Sequence, residues 1–169
     1  APGENLSSVI GRLKGLLEEQ DARVVKFDVF GSIGEFDTLL SSLKNVFGHV
    51  DWPITWVEGI SCFSHPVAGF HVHAVSGVAV ETIFSDGSPA ARVFDDAFTR
   101  YCVLGDVSPV LTSVSREEQT WNAFITLETL LSRAGMDMSN VVRTWFYNEN
   151  ILEWYDQFNA MRDNFFRDR

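Results

Sequence analysis

The sequence lacks the features that identify membrane, disulfide-rich and nucleic-acid-binding proteins. No segment approaches the ~20 consecutive apolar residues that a membrane-spanning helix requires. The two cysteines, Cys62 and Cys102, have no metal-ligand spacing and are too few for a disulfide framework, so we expect a reducing, cytoplasmic compartment. The net charge is −10 and no basic stripe is present, which argues against nucleic acid as a partner.

Signatures of well-known catalytic sites are also missing. The sequence contains no Gly-x-Ser-x-Gly motif and no glycine-rich phosphate loop, and neither cysteine has a histidine at motif spacing. We therefore predict no cofactor and no metal. What remains is a chain that is 46% hydrophobic and 21% charged, as expected of a globular protein. It begins with Ala1 rather than Met, which indicates a processed or excised chain.

The hydrophobic pattern of the first half predicts the element order α-β-α-β-β. Steps of three and four between apolar residues indicate helices, and alternation or β-branched runs indicate strands. The predicted ranges are 6–20, 24–30, 33–47, 54–57 and 70–84, the last being one long strand bent at Gly77. The turn-rich residues 85–90 predict a domain boundary, which gives domains 1–86 and 87–169.

The second half predicts strands first and helices later. The strand predictions are 92–99, 101–104 and, more weakly, 110–114. A helix follows from Ser115, where Glu118 completes a capping-box pattern, to Ala134. Residues 141–147 are β-branched and aromatic and predict a strand, and 151–166 predict a final helix with one apolar face.

The two halves share an α-β-α pattern. Val24-Val25-Lys26 aligns with Val141-Val142-Arg143, and the acidic and aromatic positions at the start of the next helix also align. This match predicts an internal duplication, although two unrelated α-β-α units also look similar under a hydrophobic pattern. Either way, the predicted fold class is α+β, a mixed β-sheet with helices packed on one face.

The stretch EEQTWNAFITLETLLSRAGMDMSNVVRTWFY, residues 117–147, resembles the YjgF/RidA superfamily, which has the RutC-like fold. Its RTWFY segment is most similar to the two-domain, chorismatase-like branch. The resemblance implies a β-β-β-α-β-α-β-β unit of chorismate-mutase-like architecture. The first half would then supply the last five elements of one copy, and the second half the first six of another.

The resemblance also implies a function. Members form trimers or pseudo-trimers, and they bind small carboxylate or imine metabolites in clefts between subunits, so hydrolysis of an imine, an enamine or a chorismate-type substrate is expected. The arginine that holds the substrate carboxylate in this family is missing from residues 52–57, and the matching strand of the second copy would lie beyond Arg169. A non-catalytic ligand-binding or assembly domain is the alternative. The acidic charge argues against the RNA-directed role ascribed to the family.

Three residues are candidates for catalysis. His71 and His73 are two apart on a predicted strand and titrate near neutral pH, and Glu81 could act as an acid or base if buried. A metal site built on the two histidines has no partner at ligand spacing. The alternative to a metal site is two imidazoles in or beside a cleft, and the alternative for Glu81 is a solvent-facing strand residue.

Four residues are candidates for ligand binding. Arg143 shares one face of its predicted strand with Trp145 and Tyr147, so the arginine could bind a carboxylate between aromatic walls. Tyr101 could supply a hydroxyl group to the same kind of ligand. The alternative interpretation is that Arg143 stacks on these rings at a contact between subunits.

Overall fold

The computed structural model describes residues 5–59, 65–109 and 112–167. Clustering of the backbone divides the chain into two compact units, Ala1–Asp106 (unit 1) and Val107–Arg169 (unit 2). The described residues form four α-helices and two three-stranded sheets, which confirms the α+β class. Within the described ranges, every helix is too short or too polar to cross a membrane.

Unit 1 contains two helices and all six strands. They are α1 (Leu6–Glu19), β1 (Ala22–Gly31), α2 (Phe36–Phe47), β2 (Ile54–Glu58), β3 (Val67–Ser76), β4 (Val80–Ser85), β5 (Ser88–Asp95) and β6 (Arg100–Leu104). The local signals act as expected at the helix ends. The Asn5 side chain accepts a hydrogen bond from the backbone N–H of Ser8 at 2.9 Å, and Gly48 ends α2 with φ of 78°.

The strands of unit 1 form two separate sheets. In the first sheet the order is β2-β1-β3, with β1 parallel to β2 and antiparallel to β3. The second sheet is an antiparallel β4-β5-β6 meander. The central strand β1 buries its apolar side chains with those of the two helices, and this core comprises Ile10, Val24, Phe27, Val29, Leu39, Leu43, Trp52 and Ile54. The first sheet is therefore mixed, as predicted, but it has only three strands.

The single long strand predicted over 70–84 is wrong. The chain turns at Gly77, which has φ of 75°, and the residues on either side join different sheets as β3 and β4. Residues 85–90, predicted as a domain boundary, contain the turn of the β4–β5 hairpin, where Asp86 and Gly87 both have positive φ. Turn residues of this type serve tight hairpins as well as linkers. The two compact units of the backbone divide after Asp106.

Unit 2 is built from two helices, α3 (Arg116–Arg133) and α4 (Tyr155–Arg167), with short 3-10 turns at Met138–Asn140 and Ile151–Glu153. Ser115 caps α3 by accepting a hydrogen bond from the N–H of Glu118 at 3.2 Å, as the sequence predicted. Aromatic rings join the helices, and the rings of Phe124 and Phe165 stack with centroids 4.9 Å apart. Unit 2 therefore holds together through an aromatic core.

The strand predicted over 141–147 is absent. These residues connect the two helices of unit 2 and belong to neither of the described sheets. The corresponding strand of unit 1, β1, is paired by β2 and β3, and both of these follow α2 in the chain. The described part of unit 2 ends with α4 and has no counterpart of either. Of the weak prediction over 110–114, residues 112–114 are bends and the first two lie outside the described residues.

Candidate functional site

The charged side chains of unit 1 gather on the sheet face opposite its helices. Lys26 of β1 pairs with His73 of β3, and Asp28 of β1 pairs with His71. Side chains at paired positions of antiparallel strands point to the same face. On the other face Val24 and Phe27 contribute to the core with the helices. We call the face that carries Arg23, Lys26, Asp28, His71 and His73 the charged face.

A β-bulge determines which residues of β1 reach this face. Val24 pairs with Ala74, whereas Lys26 pairs with His73, so Val25 is the extra residue. Arg23, which pairs with Val75, thereby lies on the same face as Lys26 despite the odd spacing between them.

Asp28 is the buried centre of the charged face. Its residue exposure is only 2%, and its Oδ1 lies 3.0 Å from Nζ of Lys26, whose side chain is 13% exposed. This contact is an ion pair without hydrogen-bond geometry, because Oδ1 accepts no hydrogen bond from the described residues. Moving a carboxylate out of water is unfavourable unless a cation accompanies it. Lys26 therefore accounts for the burial of the charge on Asp28.

The two histidines lie beside this carboxylate and are open to solvent. Nδ1 of His71 is 3.8 Å from Oδ2 of Asp28, and the rings of His71 and His73 meet edge to face with centroids 4.3 Å apart. The pKa of His73 is lowered from its ordinary value, first by partial burial and then by electrostatic repulsion from His71 and Lys26. Asp28 offsets this only in part. The surroundings of His73 therefore favour its neutral form.

A polar cavity of about 230 Å³ lies at the start of β1. Its lining residues are Arg23, Asp51, Val78, Ala79, Val80 and Arg92. Arg92 is 4% exposed, and its Nη1 lies 2.8 Å from Oδ2 of Asp51 and 2.9 Å from the backbone oxygen of the same residue. Arg23 is exposed. Its pair with Val75 is two positions along the ladder from the pair of Lys26 with His73, which corresponds to about 7 Å along the strand. The cavity can accept an anionic group.

Of the predicted catalytic residues, the structure brings His71 and His73 together and places Glu81 elsewhere. Glu81 lies on β4 of the second sheet, where its exposed carboxylate is 3.8 Å from Nη2 of Arg100. A salt bridge of this type on the surface contributes little to stability and leaves the carboxylate in water. Glu81 therefore has the environment of its alternative interpretation, a solvent-facing strand residue.

Tyr101 also belongs to the second sheet. Its hydroxyl donates a hydrogen bond to Oδ2 of Asp96 at 3.1 Å, which raises the pKa of the phenol, and its ring stacks on Phe94. On the same strand, burial raises the pKa of the Cys102 thiol to about 11, so the thiol is protonated at neutral pH. Cys62 lies outside the described residues.

The remaining predicted ligand residues, Arg143, Trp145 and Tyr147, belong to segment 141–147 of unit 2. The guanidinium of Arg143 lies over the ring of Trp145, 5.7 Å from its centroid. Trp145 is 65% exposed, and Tyr147 is exposed as well. The stacking of arginine on tryptophan was the alternative interpretation of this group. Arg143, Trp145 and Tyr147 lie in unit 2, whereas the two histidines lie in unit 1.

The sequence reasoning missed Lys26 and Asp28, although a signal for them was present. In the run VVKFDVF the two charged residues alternate with the buried Phe27 and Val29, so a central strand with one polar face is indicated. A charge in the middle of an otherwise apolar strand is rarely buried without a partner.

We compared the chain with protein-family models, with curated proteins and with solved structures, and none of the three comparisons gives a match.

Proposed function

We propose that unit 1 binds a small anionic metabolite at the charged face and hydrolyses it, with His71 and His73 as the acid–base pair. The observation that carries the proposal is the placement of two solvent-accessible imidazoles beside the buried carboxylate of Asp28. General acids and bases need a pKa near the working pH and a fixed orientation. The buried carboxylate of Asp28 supplies the fixed orientation.

The roles follow from the surroundings of each imidazole. His73, held neutral by its surroundings, accepts a proton from the attacking water. His71, whose Nδ1 faces Asp28, delivers a proton to the leaving group. The distance of 3.8 Å between Nδ1 of His71 and Oδ2 of Asp28 is longer than a hydrogen bond. Catalytic contacts of this kind commonly shorten when a substrate is bound.

The substrate class follows from charge and space. Arg23 at the mouth of the cavity supplies a cation for a carboxylate, and a cavity of about 230 Å³ suits a small metabolite. The net charge of −10 disfavours a nucleic acid in this role. Imines, enamines and chorismate-type compounds are the classes that the resemblance to the YjgF/RidA superfamily implies.

The element order supports the same scaffold. The run α1, β1, α2, β2, β3 has the order α-β-α-β-β that the resemblance assigns to the end of one copy. The following β4, β5, β6 and α3 have the order β-β-β-α that it assigns to the start of the next.

The test is turnover of enamine-generating substrates and of chorismate by the purified chain and by two variants, His71→Gln and His73→Gln. Removing a positioned acid or base lowers the rate by about 10²–10⁴-fold. His49→Gln is the matched control, because His49 is exposed in the loop after α2 and is not part of the charged face. Consumption of neither substrate, or equal rates in His73→Gln and His49→Gln, would contradict the proposal.

A second candidate function is assembly without catalysis. Segment 141–147 exposes Val142 almost completely and Trp145 by two thirds, and exposed aromatic residues are typical of protein contacts. We propose self-association as a trimer or pseudo-trimer for this role. Light scattering at micromolar concentration tests it, and a monomer throughout would exclude it.

A further inference from the structure

We propose that Asp28, His71 and His73 bind a divalent transition-metal cation of the zinc class. The observation is the clustering of one carboxylate oxygen and two imidazole nitrogens, all within 4.8 Å of one another. The inference extends beyond the proposed hydrolysis, because it requires only these three ligand atoms and no reaction.

The distances allow a cation to close the site. Zinc binds nitrogen and oxygen ligands at about 2.0–2.2 Å, so the ligand atoms of a tetrahedral site are separated by roughly 3.5 Å. The three atoms must therefore approach by about 1 Å. Asp28 is fixed by burial, whereas the side chain of His71 is 62% exposed and His73 is exposed too. The two imidazoles can rotate towards the carboxylate at little cost in packing.

The surroundings of Asp28 leave one oxygen for the cation. Lys26 pairs with Oδ1, and Oδ2 faces His71. The lysine can stay on Oδ1 while the cation binds Oδ2, which gives the ligand an outer partner that fixes its orientation. The register of β1 against β3 places Lys26 and Asp28 on the face of the histidines, since Lys26 pairs with His73 and Asp28 pairs with His71.

The ligand set determines which cations fit. Two imidazoles and one carboxylate suit Zn²⁺, Co²⁺, Ni²⁺ or Cu²⁺, whereas Ca²⁺ and Mg²⁺ require more oxygen ligands. Three protein ligands leave at least one coordination position for water. A bound cation would use the imidazole lone pairs that the proposed hydrolysis needs, so it would inhibit that activity.

The experiment is a titration of the chain, free of affinity tags and treated with chelator, with Co²⁺. Tetrahedral Co²⁺ bound to nitrogen and oxygen absorbs visible light far more strongly than Co²⁺ in water, so this readout needs no activity. We expect saturation at one equivalent. His71→Ala and His73→Ala should each weaken binding by about 100-fold. Loss of an outer-shell partner weakens metal binding by about 10–100-fold, and loss of a direct ligand should weaken it at least as much.

His49→Ala is the control and should bind as the unmodified chain does. Asp28→Asn removes the third ligand, and a thermal unfolding curve of this variant separates loss of binding from loss of folding. Absence of the visible band in the unmodified chain overturns the inference. The inference is also overturned if His71→Ala or His73→Ala binds Co²⁺ with the same affinity as the unmodified chain. Because the titration is separate from turnover, the metal site and the proposed hydrolysis can fail independently.

Discussion

Strand β1 of unit 1 and segment 141–147 of unit 2 have similar sequences and different structures. Each is a β-branched and aromatic run between two helices, and each carries one cation after two valines. In unit 1 the run is hydrogen-bonded on both sides and buries Phe27 and Val29 completely. In unit 2 the run belongs to neither described sheet, and Val142 is 99% exposed.

The difference shows that a strand depends on its neighbours more than on its own residues. β-Propensity measures how well side chains fit a pleated, half-buried surface, and that surface exists only when partner strands are present. β1 has partners on both edges. Segment 141–147 has the composition of a strand and exposes the edges on which such a strand would pair.

Hydrogen exchange should show the largest contrast between these two regions. The amides of Phe27 and Val29 lie in the interior of a sheet and open only with unit 1, whereas those of residues 142–147 have no described acceptor in a ladder. We expect exchange rates to differ on the order of 10⁴-fold. Exchange followed by mass spectrometry at two protein concentrations would measure this.

The concentration dependence sharpens the comparison. Protection of residues 142–147 that grows with protein concentration would indicate that a second copy supplies the missing strand. Strong protection at the lowest concentration would contradict the contrast itself.

Truncation of core and exposed aromatic residues is the next largest test. Phe27→Ala removes a ring with no exposure and should lower the free energy of unfolding by about 3–5 kcal/mol. Trp145→Ala removes a larger ring that is 65% exposed and should change it by no more than about 1 kcal/mol, the contribution of its contact with Arg143. Denaturant unfolding followed by circular dichroism would measure both. A loss of several kcal/mol in Trp145→Ala would mean that this ring is buried in solution, as in an assembly.

The cation in each region offers a smaller contrast. Asp28→Asn leaves Lys26 without its partner in a nearly buried site and should destabilise unit 1 by about 3 kcal/mol. Arg143→Ala removes an exposed contact with Trp145 that contributes only about 0.5–1 kcal/mol. A double variant, Asp28→Asn with Lys26→Met, should recover part of the loss because no unpaired charge remains. Additive losses in that double variant would show that the ion pair is not coupled.

The smallest effect concerns pH. Folding lowers the pKa of His73 from 6.5, so between the two values the unfolded chain binds more protons than the folded one. The free energy of unfolding should therefore rise with pH through this interval and level off above it. Unfolding at about pH 5 and about pH 8 checks the sign, and His73→Gln should flatten the dependence. His71, Lys26 and Asp28 face the same imidazole and are kept unchanged in this comparison.

The helices and most strands were predictable because their signals are local. The side chains of Asn5 and Ser115 cap helix starts, and Gly48 and Gly135 follow helix ends with positive φ. Gly77 was predicted as a bend within one strand, but the chain passes there from the first sheet to the second. The number of sheets depends on which strands meet, and this information is not local.

The candidate site was predictable only in part. His71 and His73 were identified from their spacing, because alternate residues of a strand share a face. Asp28 and Lys26 were missed, since their importance comes from pairing with β3, which is more than forty residues away in the sequence. Glu81 was grouped with the histidines because a single strand was predicted across Gly77, and the turn there places it in the second sheet.

Val25 is an extra residue that shifts the alternation of side chains along β1 by one position. Counting by twos from Lys26 assigns Arg23 to the helix side, yet the register gives it to the side of the histidines. Deleting Val25 would therefore remove the bulge and leave Arg23 on the side of the histidines, because Val24 would then directly precede Lys26. An engineer who transplants this charged surface into a regular strand must either keep the bulge or omit Val25, because Arg23 would otherwise point to the opposite face.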